Sequence, residues 1–146
     1  MTTWTVVGAG SAGCVVAARL SAEPSNHVIL LESGPGGRGA EGASFFDALA
    51  DPERTHHDLV ASRVEGGAPS RYLRGRGLGG SGSVNAMLAL SGGPFVADHL
   101  LHLEVASKHE WGAVDRALAA AAADAAAVPL TRREGRRETV VDAYLD

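Results

Sequence analysis

The stretch Val6-Val7-Gly8-Ala9-Gly10-Ser11-Ala12-Gly13 decides the fold. Two apolar β-formers run into three glycines at G-x-G-x-x-G spacing. Cys14-Val15-Val16-Ala17-Ala18-Arg19-Leu20 then follows with helical character. In a strand–turn–helix each glycine has a physical task. Gly8 makes the tight turn out of the strand. Gly10 has no side chain, so a pyrophosphate can approach the backbone. Gly13 lets the helix pack closely on the strand. The free N–H groups of the helix's first turn, together with its dipole, face the phosphates.

Working outward, residues 4–7 read as a short buried strand. Residues 11–22 read as a helix with apolar positions at Val15, Val16, Ala18 and Leu20. Glu23-Pro24-Ser25-Asn26 is a turn signal. Val28-Ile29-Leu30-Leu31 is a second apolar strand, of the kind found in a parallel sheet covered on both faces. Together these predict an α/β fold with a Rossmann-like βαβ unit of about 30 residues. Glu32 closes the second strand, 19 positions after Gly13. A carboxylate there accepts hydrogen bonds from both ribose hydroxyls of an adenosine and repels a 2′-phosphate, which disfavours NADP. FAD and NAD both remain open at this point.

The chain has 146 residues, enough for one core and too few for two full domains. Its 19 glycines gather in two blocks, as backbone-lined sites require. A formal charge of -4 argues against nucleic acid or an anionic membrane as partner. Cys14 is the single cysteine, so no internal disulfide forms, which suits a reducing compartment. No basic segment with an apolar stretch precedes Trp4, and no apolar run reaches membrane-span length. A cytoplasmic protein with no signal peptide is the expectation.

Between the glycine blocks, Ser33-Gly34-Pro35-Gly36-Gly37-Arg38-Gly39-Ala40 opens a loop over residues 33–44. Phe45-Phe46-Asp47-Ala48-Leu49 predicts a short helical turn. Residues 50–70 carry little periodicity. His56-His57 lies there with no Cys or carboxylate at ligand spacing, and reads as a solvated loop rather than a metal site.

The second block runs Arg74-Gly75-Arg76-Gly77-Leu78-Gly79-Gly80-Ser81-Gly82-Ser83-Val84-Asn85. Glycines at this density let the chain pass tightly over a ligand and aim its N–H groups inward. Arg74 and Arg76 offer charge to balance phosphate. A flexible linker would not resume at once with Val84, Met87, Leu88 and Leu90.

This block resembles the first signature of the glucose–methanol–choline (GMC) flavoprotein oxidoreductases. Gly75-Arg76-Gly77-Leu78-Gly79-Gly80-Ser81 and Val84-Asn85 fit it position by position, with Ala89, Gly92 and Asp98 at its later positions. Val7 to Cys14 and Leu31-Glu32-Ser33-Gly34-Pro35 are similar to the family's N-terminal segment. The resemblance is close over residues 4–34 and 71–98. It implies FAD as cofactor, with Gly8, Gly10, Ser11, Ala12, Gly13 and Glu32 on the ADP side. Ser81, Asn85, Ala86 and Leu88 would then lie near the pyrophosphate or isoalloxazine. It also implies oxidation of an alcohol CH–OH, with hydride passing to the flavin.

The remainder fits the family thinly. His99 and His102 are three apart and would share the face of an amphipathic helix. Residues 113–128 predict an Ala-rich helix ended by Pro129. Gly135 to Leu145 resembles a later family segment with an Arg and an Ala-Tyr-Leu. The resemblance thus implies a nucleotide-binding domain over residues 1–146, with 99–146 an Ala-rich helical tail and the family's substrate domain absent. The family's catalytic histidine has no counterpart, so no catalytic residue and no metal ligand is assigned. A small alcohol is the implied substrate, and a separate chain could supply the missing domain. An NAD-binding module and a catalytically inactive remnant are the rival readings.

Overall fold

The computed structural model describes residues 1–37, 45–90, 102–122 and 124–145. Strand β1 (Thr2–Val7), helix α1 (Ser11–Ser21) and strand β2 (Asn26–Leu31) form the expected βαβ unit. β1 pairs with β2 in parallel, from Thr2↔Asn26 to Val7↔Leu31. Both strands begin two residues before their apolar runs. Asn26 explains part of this. Its Nδ2 donates to the Leu20 carbonyl at 3.0 Å and its Oδ1 accepts from Trp4 Nε1 at 3.1 Å. One side chain thereby hooks the start of β2 to both α1 and β1.

The expectation of a sheet covered on both faces is corrected. Burial alternates along β2, with Val28 and Leu30 turned inward and Ile29 and Leu31 exposed. On β1, Val7 is 82% exposed. α1 covers one face, and the other is open among the described residues. An uninterrupted apolar run shows only that both faces tolerate apolar groups, not that both are covered.

Helix α2 (Phe45–Ala50) matches the expected helical turn. The aperiodic residues after it hold strands. β3 (Thr55–His56) pairs with β6 (Arg74–Gly75), and β4 (Val60–Ala61) pairs with β5 (Ser70–Arg71), both antiparallel. Strands of two residues are too short for a period of two to register. The His56-His57 loop is therefore corrected to a strand and its edge. His57 lies 2.7 Å from Thr55 Oγ1 through Nε2 and 2.6 Å from Arg71 Nη2 through Nδ1.

The C-terminal third is part sheet. β7 (Leu103–Val105), β8 (Pro129–Arg133) and β9 (Arg136–Arg137) form an antiparallel sheet. His102 thus leads into a strand rather than a helix, and its ring lies 2.9 Å from the buried Glu138 carboxylate. His99, Gly92, Asp98 and residues 38–44 lie outside the described residues. Helix α3 spans Ala113–Ala121, seven residues short of the expected end, and Pro129 opens β8 instead of closing the helix. α3 buries no residue, so propensity and the Asp115 carboxylate, which accepts from Gly112 N–H at 2.8 Å, must hold it. Alanine propensity without packing sustains only a short helix. Helix α4 (Val140–Tyr144) docks on α1. Val141 joins Ala9 and Cys14 in one buried cluster, with Leu30, Leu78, Val140 and Leu145 packed around it.

Candidate dinucleotide-binding site

The site begins where β1 ends. Gly8 turns at φ +93°, a conformation side chains resist, while its N–H donates to the Leu31 carbonyl at 2.7 Å. Gly13 packs so tightly that a Cβ would sit 1.8 Å from the Gly8 carbonyl oxygen. At Gly10 the space a Cβ would take is open to 4 Å. Gly10 caps α1 with no side-chain hydrogen bond. The first intrahelical bond runs from Cys14 N–H to the Gly10 carbonyl at 3.0 Å. The N–H groups of Ser11, Ala12 and Gly13 therefore precede the helical ladder, where an anion is stabilised.

The second glycine block docks directly on this turn. Gly79 N–H donates to the Ala9 carbonyl at 2.7 Å, and Gly10 and Gly79 form a parallel bridge. The 3-10 turn Gly80–Ser83 follows. A Cβ on Gly80 would lie 2.9 Å from Gly10 Cα, so two backbones meet here. Ser81 Oγ accepts from Gly75 N–H at 3.0 Å, and the buried Ser83 hydroxyl donates to the Leu78 carbonyl at 2.8 Å.

Glu32 joins the two blocks. Its Oε2 accepts from Ala9 N–H at 2.8 Å, and its Oε1 accepts from Gly34 N–H at 2.8 Å and Gly77 N–H at 3.3 Å. Burial pushes this carboxyl up, but the N–H groups of Gly34, Ala9 and Gly77 outweigh it and hold it below the ordinary glutamate value. Backbone N–H groups thus already engage both oxygens of this carboxylate. A ribose hydroxyl bound here would share the carboxylate with these N–H groups. Val7, Gly8, Leu31, Glu32 and Ser33 line a cleft of about 290 Å³ at the carboxyl ends of the strands. Ligands of open α/β sheets bind at this edge.

Other expected residues are placed differently. Arg74 stacks over the Tyr72 ring, 3.6 Å from its centroid, and Arg76 Nη2 donates to the Ser33 carbonyl at 3.1 Å. Both guanidinium groups are thus engaged by protein. Ala86 and Leu88 lead away toward β8. Leu88 bridges Leu130, and Ala89 N–H donates to the Pro129 carbonyl at 2.8 Å. Leu88 lines a separate cleft with Trp111 and Leu118. The motif spacing did not single out Ala9, Gly34 and Gly77, whose N–H groups hold Glu32. Backbone donors carry no side-chain signal. Among the described residues no three His, Cys, Asp or Glu converge as a metal site, and no helix is long and apolar enough to cross a membrane.

An uncapped helix end beside a strand-end carboxylate defines a Rossmann-like dinucleotide-binding domain. Residues 6–74 match the family described as an NAD(P)-binding Rossmann-like domain. The chain is 49% identical over 87 residues to an uncharacterised GMC-type oxidoreductase of Rhodococcus erythropolis, covering 55% of this chain and 17% of that one. It is 41% identical over 95 residues to an oxygen-dependent choline dehydrogenase of Photobacterium profundum, covering 60% of this chain and 16% of that one. The crystal structure of pyridoxine 4-oxidase from Mesorbium loti superposes with a TM-score of 0.80 at 23% identity, over 99% of this chain and 39% of that one. Over these 87 to 95 residues the chain is similar to GMC-type oxidoreductases. It spans 16–17% of the length of the two curated relatives.

Proposed function

We propose that this chain binds FAD at the junction of its two glycine blocks, as the nucleotide-binding unit of a GMC-type oxidoreductase acting on the CH–OH group of an alcohol. The observation that carries this reading is the docking of Gly79 on Ala9 and Gly10. A βαβ unit alone serves NAD and FAD alike; the second block laid against its turn is what resembles the flavoprotein family. The residues present fit the group. The N–H groups at Ser11, Ala12 and Gly13 would hold the pyrophosphate, the open face of Gly10 lets it approach, and the cleft beside Glu32 suits the adenosine ribose. Bound FAD would supply a hydride acceptor for the alcohol carbon.

No residue is assigned to the proton transfer that accompanies that chemistry. His57 and His102 are bonded to Thr55 and Arg71 and to Glu138 respectively, and nothing places either beside a substrate. The matched family description favours NAD as a second reading. Titration separates the two. The purified chain should quench the fluorescence of added FAD with saturation, and bind NADH more weakly. Tighter binding of NADH than of FAD would reverse the order of the readings, and no response to either would end both.

A further inference from the structure

Arg137 is half-buried, with part of its guanidinium closed off from solvent. Its Nη1 donates to the Asn85 main-chain carbonyl at 2.8 Å and to Asn85 Oδ1 at 3.1 Å. Its Nε and Nη2 are buried with no hydrogen-bond partner among the described residues. Burial pushes its pKa down, and no carboxylate offsets that. A guanidinium stays charged and only donates, so this placement is costly unless it achieves something. What it achieves is on Asn85. Oδ1 of Asn85 also accepts from Met87 N–H at 2.9 Å, closing a turn in which Met87 takes φ +61°. Flipping the Asn85 amide would set its NH2 against two donors, Arg137 Nη1 and Met87 N–H. The orientation is therefore chemically forced. Asn85 is exposed, and its NH2 group has no protein partner among the described residues. It lies two residues after the 3-10 turn whose Gly80 is against Gly10.

We propose that Arg137 is a positioning residue of the dinucleotide site: by clamping both oxygens of Asn85 it commits that amide to offer its NH2 group to an acceptor atom of the bound dinucleotide. This rests on the dinucleotide-binding reading above. The test pairs FAD titration with thermal unfolding on the full chain. Asn85→Asp keeps both accepted bonds and gives Arg137 a counter-charge, but turns the offered donor into an anionic oxygen. It should hold or raise the unfolding midpoint while raising the Kd for FAD about tenfold. A purely structural Asn85 would leave the Kd unmoved. Arg137→Met should raise the Kd severalfold, and in the double variant with Asn85→Ala it should add nothing to the loss from Asn85→Ala alone. Undiminished FAD binding by Asn85→Asp, or additive losses in the double variant, would overturn the proposal while leaving the site intact. Failure of the wild-type chain to bind any dinucleotide would overturn the functional reading, and this inference with it.

Discussion

Glu32 shows how much one carboxylate is asked to do. Its oxygens collect N–H groups from the β1–α1 turn, from its own strand end and from the second glycine block. Its folded pKa lies below the unfolded one, so its stabilisation is complete above the unfolded value. It fades as the pH falls through the folded value. Glu32→Gln exchanges a charged acceptor for a neutral amide and should cost about 2 kcal/mol at neutral pH. That gap should close in acid, where the wild-type carboxyl also loses its charge. Urea unfolding of both proteins from pH 7 downward checks this, and a gap that stays constant with pH would refute it. Position alone flagged Glu32 in the sequence, since a strand-end acid after G-x-G-x-x-G is a ribose signal. The three backbone bonds were illegible, because Gly77 is far along the chain and a glycine N–H leaves no mark in a pattern.

The glycines separate into two kinds when the elements are packed, although the motif treats them alike. At Gly13 a Cβ would press on the Gly8 carbonyl, which is backbone and cannot swing aside. At Gly10 the corresponding space is open and φ is -72°, comfortable for any residue. Gly13→Ala should therefore destabilise by about 3 kcal/mol, although alanine's helix propensity favours it by about 1 kcal/mol. Gly10→Ala should leave stability within about 0.5 kcal/mol, yet weaken dinucleotide binding, because its methyl occupies the approach to the α1 N-terminus. Thermal unfolding and FAD titration on the same two variants read the split directly. Both losing stability alike would mean that Gly10 serves the fold. The sequence was most legible at this scale. β1, α1 and β2 follow from two apolar runs, the glycine spacing between them and the turn signal at Glu23 to Asn26. α3 was overread because its alanines speak for helix at every position, and nothing packs on them to extend it. The strands β3 to β6 were missed because pairing partners, not local pattern, make a two-residue strand.

Across the whole molecule, the nucleotide turn depends on a segment far away in sequence. Ala9 and Cys14 are fully buried, and Val141 of α4 is what lies against them. The sequence of residues 135–145 resembles a family segment but cannot name its packing partner, so this dependence became visible only in the fold. Cys14 reports on it. It is the single cysteine, its Sγ donates to the Ala9 carbonyl at 3.1 Å, and burial pushes its thiol pKa up. A thiol reagent can reach it only when the α1–α4 core opens. Val141→Ala removes two methyl groups from that core and should cost about 1.5 kcal/mol, which raises the labelling rate about tenfold where opening is in pre-equilibrium. A dinucleotide held at the α1 N-terminus should slow labelling about a hundredfold at 100 times its Kd, because it binds the closed state alone. Val141 and the ligand would thus act in opposite directions on one thiol. A labelling rate indifferent to both would mean that Cys14 is reached by a local movement of α1, and that α4 does not hold the nucleotide turn in place.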